Sequence, residues 1–198
     1  MPNPNHPRKH SVIKVEPIKT LKDVRAIKKL LSGSPRDLCI LTCGLSWFTR
    51  AGDLLSIRVG QVRSLKVGES FVVREQKCGK VRTITISKST HEAIQALLKS
   101  MGDGVSDDAY LFQSRKGGGK LTVPTLGAMV KGWCKSINLA GNYSSHTLRK
   151  SGGYLNRTVY GVDIPTLMTV YGHSTQRMTL QYLCIQEEEV QSCYLRDL

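Results

Sequence analysis

What this sequence lacks narrows its possibilities first. No apolar run approaches the roughly 18 residues a membrane-spanning helix needs, and residues 1–15 hold no apolar core of a secretory signal. Acids are scarce: 15 Asp and Glu stand against 29 Lys and Arg in 198 residues, a net charge of +14. That balance excludes an acid-rich disordered chain and points to a polyanionic partner, of which nucleic acid is the commonest. Aromatic residues make up only 6% of the chain and form no stacking cluster, which argues against a single-strand or RNA binder. The six cysteines (Cys39, Cys43, Cys78, Cys134, Cys184 and Cys193) contain no CxxC pair. No zinc site is expected from them, and reduced thiols in a cytosolic or nucleoid setting are the expectation. The Gly-rich basic stretch 114–120 fits neither a Walker A loop nor GxGxxG, so no nucleotide cofactor is expected.

What is present is enough chain for one full-sized core without disulfide or metal staples. Residues 1–18 carry Pro2, Pro4, Pro7 and Pro17 among His6, Arg8, Lys9, His10 and Lys14, and read as a mobile basic arm. Leu21, Val24, Ile27, Leu30 and Leu31 then fall at helical spacing behind Thr20, a residue suited to cap the helix. Ser34-Pro35 opens a second helix, expected to stop at Gly44, and a short third helix is expected over 50–56. The period then changes to two. Residues 70–76 and 80–87 are rich in Val, Ile and Thr and flank a turn over 77–80. Helical patterns return beyond Thr90 and over 124–137, 146–160, 163–171 and 175–183, with Gly161 and Gly172 placed to end two of them. The expected fold is mainly α with one small antiparallel β-hairpin, an α+β chain.

Charge is uneven along it. Between Tyr110 and Tyr182 nine Lys/Arg (115, 116, 120, 131, 135, 149, 150, 157, 177) face one acid, Asp163. After Tyr182 the sign reverses, with Glu187, Glu188, Glu189 and Asp197 against Arg196. Within the basic region, His146 and Arg149 lie three apart on a predicted helix and so leave one face. An imidazole and a bidentate guanidinium there can hold one phosphate. A metal-dependent nuclease needs clustered carboxylates, which this region lacks. Breaking a phosphodiester without metal instead requires Arg, Lys and His to neutralise transition-state charge, and a nucleophile that can be held covalently.

Several segments carry a joint pattern: Arg50-Ala51-Gly52-Asp53-Leu54, Lys77 in the hairpin turn, His146-Thr147-Leu148-Arg149, Gly172-His173-Ser174, and Thr179-Leu180-Gln181-Tyr182. In this order and spacing, the chain over about residues 19–195 resembles the tyrosine recombinase (phage integrase) family. The resemblance implies a catalytic domain of that fold over 19–182 and site-specific DNA recombination through a 3′-phosphotyrosine. It implies Tyr182 as nucleophile, Arg50 and Arg149 on the non-bridging phosphate oxygens, and Lys77 as general acid with Lys80 the fallback. His146 would assist as base or hydrogen-bond partner, and His173 would hydrogen-bond the phosphate. Double-stranded DNA is the implied partner. Lys80, Arg115, Lys116, Lys120, Lys150 and Arg177 are expected on the DNA-binding surface. No metal or other cofactor is implied, and the setting is cytoplasmic, with the nucleoid, in a prokaryote or a mobile element. A type IB topoisomerase-like enzyme and a non-catalytic DNA-binding relative are the alternatives.

The departures from the family pattern are specific. Ser46-Trp47-Phe48-Thr49 stands between Gly44-Leu45 and Arg50, where relatives have the arginine at once. Asp53 replaces the commoner Glu, Gln61 stands where Asp is usual, and Lys150 replaces a frequent His. Residues 1–18 are too short for the N-terminal clamp of most relatives. The chain then reads as a minimal catalytic domain, like the fimbrial phase-variation invertases, or as a fragment. The tail 183–198 reads as a segment for docking on its own domain or for exchange within a DNA-bound tetramer, with a monomer equally open in solution.

Overall fold

The computed structural model describes residues 15–185, 191 and 194–195; the residues before 15 and the rest of the tail lie outside it. Among the described residues, eight helices and one hairpin follow one another as α1 (Leu21–Leu30), α2 (Pro35–Ser46), α3 (Ala51–Leu55), a 3-10 turn (Val59–Gln61), β1 (Ser70–Arg74), β2 (Val81–Thr85), α4 (Lys88–Met101), α5 (Val123–Ser136), α6 (Ser145–Thr158), α7 (Ile164–Tyr171) and α8 (Gln176–Leu183). The expected mainly α chain with a single antiparallel hairpin is what is found. Local chemistry starts the helices where polar caps allow. The side chains of Thr20, Ser87, Thr122, Ser144, Asp163 and Thr175 each accept a first-turn backbone N–H, satisfying donors that would otherwise be orphaned. Among the described residues no helix is long and apolar enough to cross a membrane.

Helix α2 is the axis of the core. Cys39, Ile40, Leu41 and Cys43 are fully buried, because α4 packs on one side and α6 on another. The hairpin pairs Ser70 with Thr85 through Arg74 with Val81 and turns Phe71, Val73, Ile84 and Ile86 inward. Its outer face, with Val72 and Val81, is exposed.

Two expectations need correction. Gly44 does not stop α2, which runs on to Ser46. The glycine is there because α6 lies against it: a Cβ would sit 2.6 Å from Leu148 Cδ1. Residues 15–18, grouped with the N-terminal arm from sequence, instead lie along α6. Ile18 is buried and its N–H donates to Ser151 Oγ at 2.7 Å, while Thr147 Oγ1 donates to the Glu16 carbonyl at 3.0 Å.

Two consecutive glycines let α6 take its place. A Cβ on Gly152 would run into the Leu45 carbonyl oxygen, and one on Gly153 into the Tyr171 hydroxyl and Leu183. Overpacking of this kind costs typically about 1–3 kcal/mol. Gly153→Ala is therefore expected to lower the unfolding free energy read from a urea titration by an amount in that range, and an unchanged urea midpoint would refute the packing argument.

Candidate active site

The site is built on the first turns of α6 and the turn joining α7 to α8. Arg149 lies one turn into α6 and is 5% exposed. Its Nη2 donates to the Tyr171 carbonyl at 3.1 Å, and the Tyr171 hydroxyl donates back to the Arg149 carbonyl at 2.8 Å. This reciprocal pair locks α6 to the end of α7. Gly172 then takes a left-handed conformation (φ 67°) that ends α7, a geometry glycine adopts at little cost. The chain doubles back, and His173 donates its N–H to the Met168 carbonyl at 3.0 Å.

The His173 ring stacks on Tyr171 (5.2 Å between centroids, 16° between planes) and meets Tyr182 edge-on at 5.5 Å. Its Nδ1 lies 3.0 Å from Thr179 Oγ1, which leaves Nε2 as the ring's remaining polar atom. Thr175 caps α8, and Tyr182 falls near the end of that helix. There its ring comes within 5.8 Å of the Arg149 guanidinium carbon and 5.0 Å of Lys150 Nζ.

Arg50 arrives by a different route. Trp47 caps the end of α2, Phe48 takes a left-handed turn (φ 52°), and Arg50 becomes the first flanking residue of α3. Of the four residues that separate it from Gly44-Leu45, Ser46 is the last of α2 and the other three form the bend that leads to it. Arg50 Nη1 forms a close ion pair with Glu75 Oε2 at 2.6 Å. Among the described residues, Arg149 Nε and the Tyr182 hydroxyl are both buried with no hydrogen-bond partner, the Arg149 guanidinium carbon lying 5.8 Å from the Tyr182 ring centre. Buried polar atoms are ordinarily paired, so this concentration marks a place built for a ligand that brings oxygens.

Electrostatics agree. Burial raises the Tyr182 hydroxyl above its ordinary value, against which the Arg149 and Arg50 charges pull down. The hydroxyl is protonated at pH 7 and needs a proton acceptor to become a nucleophile. His146 is lowered by partial desolvation and then by Arg149, Lys150 and Arg50. His173 is lowered by burial and then by the same two arginines. Both imidazoles are neutral at pH 7 and can accept a proton.

Glu75 behaves oppositely: burial pushes its carboxyl up, but hydrogen bonds from Cys78 and Arg50 and the charges of Arg50 and Arg82 bring it down to about 2. Its stabilisation is complete above the ordinary carboxylate value and drains away as pH falls toward 2.

The structure brings Arg149, His173 and Tyr182 into ring or cation contact, with Arg50 close enough for its charge to act on all three; His146 is exposed and feels the charges of Arg149 and Arg50. Lys77 stands on the exposed turn of the hairpin and makes none of those contacts. Of the residues expected on the DNA face, Lys80, Arg115, Lys116 and Arg177 are exposed, Arg115 lying 3.7 Å from Asp37. Lys120 is half-buried, with its ammonium on Ser56 Oγ. Lys150 is the exception: it is buried, and its Nζ donates to the Val15 carbonyl at 2.9 Å and to Cys184 Sγ at 3.6 Å. Its charge is spent beneath Tyr182, not on a surface phosphate.

Sequence reasoning missed Glu75 and Arg82. The signal was there: Phe71, Val73 and position 75 share the inward side of β1, and position 82 shares one with Ile84 and Ile86, so period two puts both charges inside. Among the described residues no group of three or more His, Cys, Asp or Glu side chains could hold a metal ion.

Comparison with known proteins places this geometry. The chain is 29% identical over 175 residues to tyrosine recombinase XerC of Caldanaerobacter subterraneus subsp. tengcongensis, covering 86% of this chain and 48% of that protein. It is 27% identical over 183 residues to the probable integrase/recombinase YoeC of Bacillus subtilis, covering 91% of this chain and 95% of that one. It therefore spans about half the length of XerC and nearly all of YoeC. The fold superimposes on the crystal structure of XerA recombinase with a TM-score of 0.73 at 18% identity, covering 96% of this chain and 65% of XerA. Residues 12–189, which include every element of the site, match the phage integrase family, and the chain belongs to it.

Proposed function

We propose that this chain cuts and rejoins double-stranded DNA at specific sites through a covalent bond between Tyr182 and a 3′-phosphate. The observation that carries this reading is the juxtaposition of two buried groups without a hydrogen-bond partner, a guanidinium nitrogen of Arg149 and the Tyr182 hydroxyl, beside the Arg50 cation. The Tyr182 oxygen attacks the scissile phosphorus, the new Oη–P bond forms as the P–O5′ bond breaks, and the 3′-phosphotyrosine conserves the bond energy. The tyrosine proton goes to His146, and Lys77 gives a proton to the departing 5′-oxygen. Arg50 and Arg149 hold the non-bridging oxygens, with His173 donating from Nε2. Rejoining is the reverse, with a 5′-hydroxyl from a partner strand attacking and the tyrosine leaving, so no ATP is used.

We place the protein with the genome of a prokaryote or mobile element, a reading supported by its relatives in Caldanaerobacter subterraneus and Bacillus subtilis. Exchange of strands between two duplexes would employ a tetramer, with the tail after Tyr182 passed to a neighbour. The direct test is a nicked duplex from DNA flanking the gene, from which the short cleaved strand diffuses away and traps the intermediate. A covalent adduct on a denaturing gel, formed equally in EDTA, supports the reading. Its absence on every flanking sequence would remove it.

The basic surface makes a separate prediction. Each phosphate contact contributes about 0.9 to the slope of log affinity against log salt. Arg115→Ala, Lys116→Ala and Arg177→Ala are each expected to reduce that slope by about 1. Lys150→Ala, whose ammonium faces inward, is expected to leave the slope unchanged. A titration of DNA affinity at several salt concentrations distinguishes the two classes.

A further inference from the structure

We infer that Glu75 is a positioning residue for the general acid, anchoring the hairpin that carries Lys77 to the phosphate-binding side of the site. The inference rests on the reading above, in which Lys77 protonates the leaving oxygen. Lys77 itself is exposed, so whatever aims it must act through its neighbours. Glu75, two residues earlier, is 4% exposed and gathers three partners. These are Arg50 Nη1 at 2.6 Å, Arg82 Nη1 at 3.3 Å and the Cys78 thiol, which donates to Oε2 at 2.8 Å. Its backbone closes the turn as well, donating to the Lys80 carbonyl and accepting from the Gly79 N–H, both at 2.8 Å.

Each partner ties the hairpin to a different part of the site. Arg50 opens α3. Arg82 also donates to the Phe48 carbonyl at 3.1 Å and to the Val170 carbonyl, just before the turn that presents His173. Gln76 adds a parallel tie, its N–H donating to Asp53 Oδ1 at 2.9 Å and its Nε2 to Ser56 Oγ at 2.6 Å. Both residues immediately before Lys77 are thus fastened to α3, and the root of the turn is fixed while its tip stays free. A carboxylate buried between two guanidiniums is expensive to leave unpaired, and a neutral amide in its place would hold them weakly. The general acid would then start from a broader range of positions.

The test uses the full chain and two versions of the nicked duplex. In one the scissile bond ends in the natural 5′-oxygen. In the other a 5′-sulfur replaces it, which leaves as a thiolate and needs no proton. Glu75→Gln is expected to slow single-turnover cleavage of the oxygen substrate about 10-fold or more, within the range of general-acid effects, and to cleave the sulfur substrate within about 3-fold of wild type. Lys77→Ala should show the same rescue with a larger initial loss. Equal loss on both substrates would mean that Glu75 serves the fold or Arg50 alone and would overturn the proposal, as would no loss at all. If Glu75→Gln does not fold, Glu75→Asp, which keeps the charge and shortens the reach, is read by the same criterion. Failure of the wild-type protein to form any adduct would instead count against the recombinase reading itself.

Discussion

Tyr182→Phe should leave a folded, DNA-binding protein that forms no covalent adduct. The expected loss of cleavage is at least about 10³-fold, since removing a nucleophile eliminates the covalent route altogether. This substitution is unusually clean because the Tyr182 hydroxyl is buried without a hydrogen-bond partner. Deleting an unpaired buried hydroxyl relieves a desolvation cost instead of breaking a bond, so the variant should unfold at or slightly above the wild-type denaturant midpoint. The ring contacts with Tyr171, His173 and Arg149 survive in phenylalanine. An adduct that persists in the variant would move the nucleophile elsewhere. Tyr171 is the nearest other phenol, but its hydroxyl is tied to the Arg149 carbonyl and burial raises it far above the ordinary tyrosine range. It is therefore not expected to substitute.

Arg149→Ala should produce the second large effect, about 10²–10³-fold in the single-turnover cleavage rate, the usual result of removing one preorganised donor from a developing oxyanion. Here structure and chemistry are entangled. The guanidinium also satisfies the Tyr171 carbonyl at 3.1 Å, so the alanine variant leaves that acceptor bare in a buried place at about 1–3 kcal/mol. Arg149→Lys separates the two. It retains a positive charge but not the planar fork, so it should recover stability more fully than rate. Measuring both variants by denaturant titration and by cleavage gives the split. A lysine variant that recovers rate and stability in parallel would assign Arg149 to the fold rather than to the phosphate.

The elements were legible in the sequence because their signals are local. Thr20, Ser87 and Thr122 cap helices through their own side chains, and the change of period at the hairpin needs no knowledge of the rest of the chain. The site motifs were legible for a related reason: His146 and Arg149 share a helix, and His173 and Tyr182 flank one turn and one short helix. What escaped is what depends on neighbours brought from afar. Gly44 reads as a helix stop until Leu148 is placed against it. Lys150 reads as a surface cation until Val15 and Cys184 arrive over it. Glu75 reads as the charged end of a strand until Arg50 and Arg82 close on it from either side. Each involves partners at least seven residues away in the chain, and charge or glycine content alone does not say which partner arrives.

Lys150 has a mechanical consequence. One ammonium holds the Val15 carbonyl, touches the sulfur of Cys184 and lies 5.0 Å from the centre of the Tyr182 ring. Val15 and Cys184, far apart in the chain, therefore meet at one ammonium, and that ammonium lies under the nucleophile. A displacement at Val15 or at Cys184 therefore reaches the ammonium beneath Tyr182.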